Sequence, residues 1–566
     1  MKRLQIGRPA SYTNGALRAI LLFIATMAIA ANVQAQPHSV STGHVWEVIQ
    51  SGDARAIGKL PAAQMMTLDL VLPLRDPVGL DNLLSELYDP VSPSYGMFLT
   101  VEEFTAKFGP TQADYDAVVE FAKAHGFRVT GGSRDGMEVQ VSGPVSAVEA
   151  AFHVNMQSYK HPLEDRAFYA PDRDPTVNLP IKLSHISGLD NYSIPHPMFV
   201  AKSDYAAAHG IDPATMGSAV GSGSGPEGSY LGTDMRAAYY AGAALTGTGQ
   251  HLGLLEFAGT NLADLRTYFK GTGQINSVPV TVLSTDGSTT TCMKSAGCDD
   301  TEQTLDMTQA IGMAPGLASL VMYVGRTDTA ILSAMTTHHP LPTTIGCSWI
   351  WWGDPAAVDP YFKRMAAQGQ TFFAASDDQG TWAAWNDPWP GDDAFVVSVG
   401  GTDLMTSGAG GRWASETAWA DGGGGVAPDG TAIPSWQKGQ GVITAGNHGS
   451  RKYRNGPDVS ANANYTFYTC ANQTSCRANA YGGTSFAVPM WAGFIALVNQ
   501  QRSERSAPPI GFLNPKIYAD NVTSRYATDF HDIQKGKAGI NAAIKGYDLG
   551  TGWGSPRPQL INDLAP

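Results

Sequence analysis

The sequence has little charge, little basic character and few cysteines. Of its 566 residues only 15% are charged, against about 25% in average globular proteins, whereas glycine and proline number 63 and 35. Lysine plus arginine (37) falls short of aspartate plus glutamate (50), which leaves a formal net charge of −13. No basic run relieves this balance, so neither nucleic acid nor an anionic membrane surface is expected as a partner. At about 150 residues per domain, the length predicts two to four domains.

Long apolar runs are also absent, except near the N-terminus. Apolar residues 19–31 follow four basic residues and end near the small-residue pattern Val33-Gln34-Ala35. The run is too short to cross about 30 Å of hydrocarbon, so residues 1–35 are predicted to be a secretory signal peptide cut after Ala35. An N-terminal membrane anchor is the alternative. We expect the mature chain to be secreted and free of the membrane, with the periplasm as the other candidate compartment.

The five cysteines form two closely spaced pairs and a single residue. Five residues separate Cys292 from Cys298, and five separate Cys470 from Cys476, whereas Cys347 lies in an apolar segment. In an exported chain this spacing predicts two small disulfide loops and one buried thiol. Zinc is the alternative, but zinc sites favour C-x2-4-C spacing.

A glycine- and serine-rich stretch divides the chain. Residues 217–229 read GSAVGSGSGPEGS, a composition that cannot hold a packed element. Before it, residues from about 45 to 195 alternate strand-like runs with helical ones such as Gln112–His125, which predicts an α+β module, either a prosegment or a binding domain. After it, apolar strands beginning near residues 253, 319, 371 and 394 alternate with helices. This predicts an α/β fold with a doubly wound, mostly parallel sheet and helices on both faces.

The most specific motif is Gly482-Gly-Thr-Ser-Phe-Ala-Val-Pro489, which precedes the predicted helix Met490–Val498. A serine on a glycine-rich turn at a helix N-terminus presents its hydroxyl, and the free backbone N–H groups there can hold an oxyanion. Ser485 as a simple N-cap is the alternative. The GTSxxxP arrangement is similar to that of the subtilases, which favours Ser485 as a nucleophile.

A serine nucleophile needs a base, and no suitable histidine is present. His448, in the only His-Gly-Ser, comes 37 residues before Ser485, too close for the Ser-His-Asp order of subtilisin-like chains. We therefore predict that His448 lies in a surface loop.

Two carboxylates can serve instead. Apolar residues spaced from Met307 to Ala314 predict a helix, with Asp299 and Glu302 spaced as a capping box. Glu302 and Asp306 then share one face, where mutual repulsion raises one pKa and lets the pair share a proton. A solvated acidic face is the alternative.

An acidic turn, Ser376-Asp-Asp-Gln-Gly380, follows the predicted strand that begins at Thr371. An aspartic acid kept protonated at an apolar strand end can donate a hydrogen bond to a developing oxyanion, which a carboxylate cannot do. By itself, such a sequence is usually no more than a turn.

Together these motifs resemble the sedolisins, the family of serine-carboxyl peptidases of kumamolisin and pseudomonalisin type. Residues 92–152 look like the activation prosegment of that family. Further similar segments lie between the main motifs: Ser348-Trp349, Glu416–Trp419, Gly422–Gly425, Pro434–Gln437 and Pro457–Ala461. The resemblance implies a subtilisin-like catalytic domain over residues 230–566, an activation prodomain over 36–200, and a linker with the processing region over 201–229.

By this resemblance Ser485 attacks the carbonyl, Glu302 is the general base, Asp306 orients and tunes Glu302, and Asp378 supplies the oxyanion hole. Glu256 and Trp349 match an outer network of hydrogen bonds. The chain departs from the family at Asp377-Asp378-Gln379, where Gly-Asp-Ser is usual, so the choice of aspartate rests on alignment with Gly380. It departs again at Ile350, which stands where a glycine is usual.

The resemblance also implies one structural calcium ion near the C-terminus. Its ligands would be Asp532, Ile533, Ile544, Gly546 and Asp548, an all-oxygen set that suits this hard cation. Ile544 replaces a usual glycine. A pair of aspartates in ordinary turns is the alternative.

The expected function is that of a secreted, monomeric zymogen that becomes an acid-active endopeptidase. Its substrates would be polypeptides, and its prodomain would act as intramolecular chaperone and inhibitor. A tripeptidyl aminopeptidase of the same family and a non-catalytic binding relative are the alternatives.

Overall fold

The computed structural model describes residues 38–216 and 222–565. The predicted signal peptide and part of the glycine- and serine-rich stretch lie outside the described residues.

The N-terminal part is an α+β module, as predicted. Its central strand Met65–Val71 pairs antiparallel with Glu138–Pro144 and His185–Ser187, and alternate side chains such as Leu68 and Leu70 enter the core. The predicted helix appears as Gln112–Ala124, closed at its start by a capping box. The remaining elements are the strands His38–Ser39, Ala56–Lys59, Arg128–Ser133, Met156–Lys160, Ala167–Pro171 and Thr176–Val177, and the helices Glu47–Gln50, Pro77–Leu87, Val101–Lys107 and Val145–Phe152.

The C-terminal part is built on one eight-stranded, mostly parallel sheet, which confirms the predicted fold class. Along the sheet the strands are Val280–Ser284, Ser319–Val324, His251–Glu256, Thr344–Cys347, Thr371–Ala375, Val397–Thr406 and Trp413–Ala418, with Val459–Asn462 also pairing to Val397–Thr406. Only Trp413–Ala418 runs antiparallel. The predicted strand at 394 begins at Val397 because Asp393 and the residues after it form a turn.

Helices cover this sheet, and two of them carry the site described below. We call Thr301–Met313 the base helix and Thr484–Glu504 the nucleophile helix. They pack directly, and a Cβ on Gly493 would lie 3.0 Å from the carbonyl oxygen of Ala310, so this approach requires glycine. The other helices are Lys202–His209, Gly232–Tyr239, Leu262–Gly271, Asp328–Thr337, Pro355–Ala367, Asn514–Asn521, Tyr526–Asp529 and Pro558–Leu564.

Short strands and 3-10 turns complete the C-terminal part. Paired two-residue strands are His196–Pro197 with Trp349–Ile350, Val200–Ala201 with Tyr481–Gly482, Gly425–Val426 with Asn455–Gly456, Tyr468–Thr469 with Arg477–Ala478, Phe530–His531 with Ser555–Pro556, and Lys537–Ala538 with Asn541–Ala542. The 3-10 turns are Pro213–Thr215, Pro226–Gly228, Lys294–Ala296 and Ser435–Lys438.

The described part of the predicted linker 201–229 contains a helix that its composition did not suggest. The helix Lys202–His209 lies within it, because this stretch is rich in alanine and precedes the glycines. Within the described part of the chain, no helix has the length and apolar character needed to cross a membrane.

The N-terminal module docks on the helices Asp328–Thr337 and Pro355–Ala367. Its Asp69 accepts a hydrogen bond from Thr329 Oγ1 at 3.0 Å, and its Leu99 N–H donates to the carbonyl of Ala367 at 2.9 Å. Leu80, Leu84 and Phe104 of the module belong to the same apolar core as the large sheet. The interface is therefore continuous with the core of the C-terminal part.

Candidate active site

The base helix begins where two disulfide loops meet. Cys292–Cys298 and Cys470–Cys476 are both bonded and Cys347 is a buried free thiol, which confirms the predicted pairing. The backbone N–H groups of Asp300 and Asn472 each donate to the other's side chain, at 3.0 and 2.8 Å. Each loop thus holds the other at the start of the helix.

The capping box predicted for Asp299 and Glu302 is wrong. Asp299 Oδ1 instead accepts the N–H of Thr301 at 2.9 Å and the side-chain amide of Asn472 at 3.0 Å. Because Asn472 binds at this end, Glu302 is free to point into the site.

Ser485 is the second residue of the nucleophile helix, which follows Gly483, so it is not an N-cap. Its Oγ donates to Oε2 of Glu302 at 2.9 Å. Pro489, four residues on, has no N–H to bond the carbonyl of Ser485, and this carbonyl instead accepts from Ser348 Oγ at 3.4 Å. Nucleophile and carboxylate therefore meet across the two packed helices.

Glu302 belongs to a buried cluster of carboxyl groups with Asp306 and Glu256. Asp306 accepts from Ser348 Oγ at 2.7 Å, and Glu256 accepts from Trp349 Nε1 at 3.0 Å. Burial first, and then mutual repulsion for Glu302 and Glu256, raises the pKa of all three well above the ordinary range. One oxygen of each receives no donor, which is the arrangement of carboxyl groups that share protons.

The acidic turn separates the roles of its two aspartates. Asp378 Oδ1 accepts the N–H and the hydroxyl of Thr484 at 2.8 and 2.7 Å, while its buried Oδ2 has no partner. Burial raises the pKa of Asp378 well above normal, which favours its protonated form. Asp377 turns away, with φ of 88°, and bonds Asn386. Asp378 is thus the aspartate held against the start of the nucleophile helix, at Gly483 and Thr484.

The cleft beside Ser485 is filled by residues 196–202, which we call the cleft segment. Met198 N–H donates to the carbonyl of Ser348 at 2.8 Å, and its own carbonyl accepts the N–H of Ser485 at 3.0 Å. On either side of Met198 the segment pairs antiparallel with Trp349–Ile350 and with Tyr481–Gly482. Ser485 is fully buried beneath it.

Gly483 must be a glycine at this place. Its φ is 145°, and a Cβ there would lie 2.3 Å from the Met198 carbonyl oxygen and 2.5 Å from Asp378 Oδ2. Both oxygens therefore lie against the same short stretch of backbone, next to the N–H of Ser485.

His448 takes no part in this site. It is exposed, with φ of 55°, in a loop after Asn447. The prediction of a surface loop is confirmed.

The five residues predicted to bind calcium gather at one place. Asp532 accepts the N–H of Gly546 and Asp548 accepts the N–H of Ile544, both at 3.0 Å. Within the described chain, the carbonyls of Ile533, Ile544 and Gly546 accept no hydrogen bond, and Ile533 is buried. The described residues contain no group of three or more acidic, histidine or cysteine side chains suited to a metal, so an ion here would need these carbonyls. The oxygen donors fit calcium.

Comparison with known proteins finds relatives that match most of this chain. The family described as "Pro-kumamolisin, activation domain" matches residues 53–192. Kumamolisin of Bacillus sp. (strain MN-32) is 29% identical over 527 residues, covering 88% of this chain and 90% of that protein. Sedolisin of Pseudomonas sp. (strain 101) is 26% identical and covers 91% of this chain and 89% of its own. Over most of its length the chain is similar to the serine-carboxyl peptidases of the sedolisin type.

A solved sedolisin extends the match to the fold. The structure of Pseudomonas sedolisin complexed with two molecules of pseudo-iodotyrostatin has a TM-score of 0.50 and 26% identity, covering 60% of this chain and 97% of its own. Tripeptidyl-peptidase 1 of Mus musculus is also similar, with 26% identity over 37% of this chain and 39% of that protein. The match to the activation domain covers most of the N-terminal module and supports its interpretation as a prosegment.

Sequence reasoning missed two contributors to the site. Ser348 was noted only as part of a matching motif, yet it bonds Asp306, Met198 and the carbonyl of Ser485. The cleft segment was not predicted at all. Its signal was the short apolar run Met198-Phe-Val-Ala201, which crosses the predicted boundary between prodomain and linker.

Proposed function

We propose that this chain is the zymogen of an acid-active serine-carboxyl endopeptidase. The single observation that carries the proposal is Ser485 Oγ bonded to Glu302 at 2.9 Å beside an unpartnered oxygen of Asp378. This arrangement supplies a nucleophile, a base and an oxyanion donor at one point.

The proposed acylation uses these groups in sequence. Ser485 Oγ attacks the substrate carbonyl while its proton passes to Glu302. Asp306 and Glu256 disfavour a negative charge on Glu302, so Glu302 accepts this proton more readily. The oxyanion accepts hydrogen bonds from the Ser485 N–H and from protonated Asp378. Glu302 then returns the proton to the leaving amine, and water hydrolyses the acyl-enzyme by the same route reversed.

The open amino side of the cleft favours an endopeptidase over a tripeptidyl peptidase. The cleft segment runs from Met198 back through Pro197 and His196 and continues unbroken into the prosegment. A cleft closed after three residues could not hold such a chain. Since the nucleophile, base and oxyanion donor lie together, a non-catalytic binding role has no support.

The test is digestion of a denatured protein by the acid-treated zymogen. We expect internal cleavage at about pH 4 and almost none at pH 8, with products of many lengths. Release of tripeptides alone from a free N-terminus would favour the tripeptidyl peptidase, and lack of cleavage at any pH would contradict the proposal.

We further propose that the loop of Asp532 and Asp548 binds one calcium ion that stabilises the mature enzyme. Asp532, Asp548 and the carbonyls of Ile533, Ile544 and Gly546 would hold it, and the ion would supply positive charge between two carboxylates. Chelation should lower the melting temperature and calcium should restore it, whereas magnesium at the same concentration should not. Asp532→Asn keeps the acceptor for Gly546 but removes charge, and should weaken this response. A melting curve indifferent to chelator and calcium would exclude the site.

Export and a monomeric state are part of the proposal. The basic and apolar N-terminal residues 1–35 and the two disulfide loops support a secreted or periplasmic enzyme. The mass of the exported chain would show whether residues 1–35 are removed, and its mass in solution would show whether it is a monomer.

A further inference from the structure

The cleft segment has the geometry of a bound substrate. Residues before Met198 pair with one wall of the cleft and residues after Phe199 pair with the other. The pairs are His196 with Ile350, Pro197 with Trp349, Val200 with Gly482 and Ala201 with Tyr481, and Lys202 N–H also donates to the carbonyl of Ala480 at 2.8 Å. An extended chain held on both sides by backbone bonds is how peptidases and other strand-binding proteins hold peptides.

One carbonyl of this segment lies where the oxyanion would form. The Met198 carbonyl oxygen accepts the Ser485 N–H at 3.0 Å and lies beside Asp378 Oδ2 over Gly483. The carbonyl carbon of Met198 is therefore presented to the nucleophile of the same chain. The bond that follows it joins Met198 to Phe199.

We propose that Met198–Phe199 is the first bond that this enzyme cleaves in its own chain during maturation. The inference rests on the proposed function. The C–N bond of Met198–Phe199 breaks and an ester forms between the Met198 carbonyl and Ser485 Oγ. The Ser485 proton passes through Glu302 to the amine of Phe199, and one water molecule then hydrolyses the ester to leave a carboxylate on Met198.

The side chains around this bond indicate which residues the cleft accepts. Met198 is buried in the main apolar core, and Phe199 packs edge-on against Tyr481 with ring centroids 5.8 Å apart. Val200 packs with Trp419 and Tyr465. The cleft therefore favours a large apolar residue on each side of the cleaved bond.

The first test identifies the cut. Purified zymogen is acidified, sampled over time and analysed by intact mass and N-terminal sequencing, while digestion of a denatured protein is followed in parallel. We expect the earliest new N-terminus to be Phe199, with any trimming within residues 199–229 appearing later. An earlier cut elsewhere, in an enzyme that digests denatured protein, would overturn this inference and leave the proposed function intact. Absence of both activities would count against the proposed function, on which the inference depends.

The second test changes the residue on the amino side of the bond. Met198→Lys places a permanent charge in an apolar pocket and should slow the first cut at least ~100-fold. The control Ile211→Lys alters an exposed residue of the predicted linker and should mature at the wild-type rate. If both variants mature alike at the original bond, the inference is wrong.

A peptide substrate tests the same bond without requiring that a zymogen variant folds. Mature enzyme should cleave the peptide IPHPMFVAKS, which copies residues 194–203, between methionine and phenylalanine. The same peptide with lysine for methionine should be cleaved at least ~100-fold more slowly. Cleavage of the first peptide at another bond would contradict the assignment.

Discussion

At the scale of single residues, the site depends on which group receives the proton of Ser485. Ser485→Ala and Glu302→Gln should each reduce kcat/KM at least ~1000-fold, because each removes an interaction of the transition state. Circular dichroism should show an unchanged fold. His448→Ala is the control, and peptidase assays should find it close to wild type. An inactive His448→Ala beside an active Glu302→Gln would reverse the assignment.

The protonation of Asp378 is expected to set how activity falls on the alkaline side of the pH profile. Burial raises the pKa of Asp378, so the protonated donor is present at low pH and is lost as pH rises through that raised value. Asp378→Asn keeps an acceptor for Thr484 and places an N–H at the position of Oδ2 at every pH. It should retain activity within roughly 100-fold of wild type. Its alkaline limb, measured as kcat/KM against pH, should move upward by ~1 pH unit or more. An unmoved limb would assign the pH dependence to another group.

At the scale of elements, the turn into the nucleophile helix leaves room for a substrate carbonyl. Gly483→Ala should abolish both maturation and activity, because its Cβ would occupy the place of the Met198 carbonyl oxygen. Gly408 is a matched control, since it has φ of 134° but no atom within 4 Å of its would-be Cβ. Gly408→Ala should cost about 1–2 kcal/mol of stability and keep activity. Peptidase assays and thermal melts separate the two effects, and an active Gly483→Ala would contradict the role of this turn.

Local pattern explains why much of the fold was predictable. Ser319–Val324 and Gln112–Ala124 appear almost at their predicted bounds, because buried strands and amphipathic helices are marked by the residues they contain. Glu302 and Asp306 share a face because helix geometry alone places them there.

Long-range pairing explains what the sequence could not reveal. The partner that displaced the predicted capping box is Asn472, and the partners of the cleft segment are residues 349–350 and 481–482. Strands of two residues carry no periodicity, and a hydrogen bond between residues 173 positions apart leaves no local signal. These contacts follow only from the assembled fold.

At the scale of the whole molecule, buried acids and buried histidines set opposite limits on stability. Asp69 and Asp377 have pKa values raised to about 6 by burial, so the folded state gains stability as pH falls from 7 towards 4. His44 has a pKa lowered to about 4 and that of His185 is also lowered, so stability is lost as pH falls below the ordinary histidine value. The buried carboxyl groups with raised pKa values outnumber the buried histidines with lowered pKa values. Thermal melts of Ser485→Ala zymogen in chelator should therefore show a maximum near pH 5, at least ~5 °C above the midpoint at pH 7. A maximum at pH 7 or above would contradict this balance.

Because the cleft segment is part of the same chain, the intact zymogen presents it to Ser485 at an effective concentration in the millimolar range. Even weak binding then keeps the cleft filled. Once the chain is cut, the residues ending at Met198 remain with the prosegment, which is then held by non-covalent contacts alone, both the hydrogen bonds of Asp69 and Leu99 and the shared apolar core. Inhibition then becomes a bimolecular equilibrium, so activity per molecule should rise when freshly cut enzyme is diluted. An assay over a hundredfold range of protein concentration would measure this rise, and a constant value would mean that the cut alone frees the cleft.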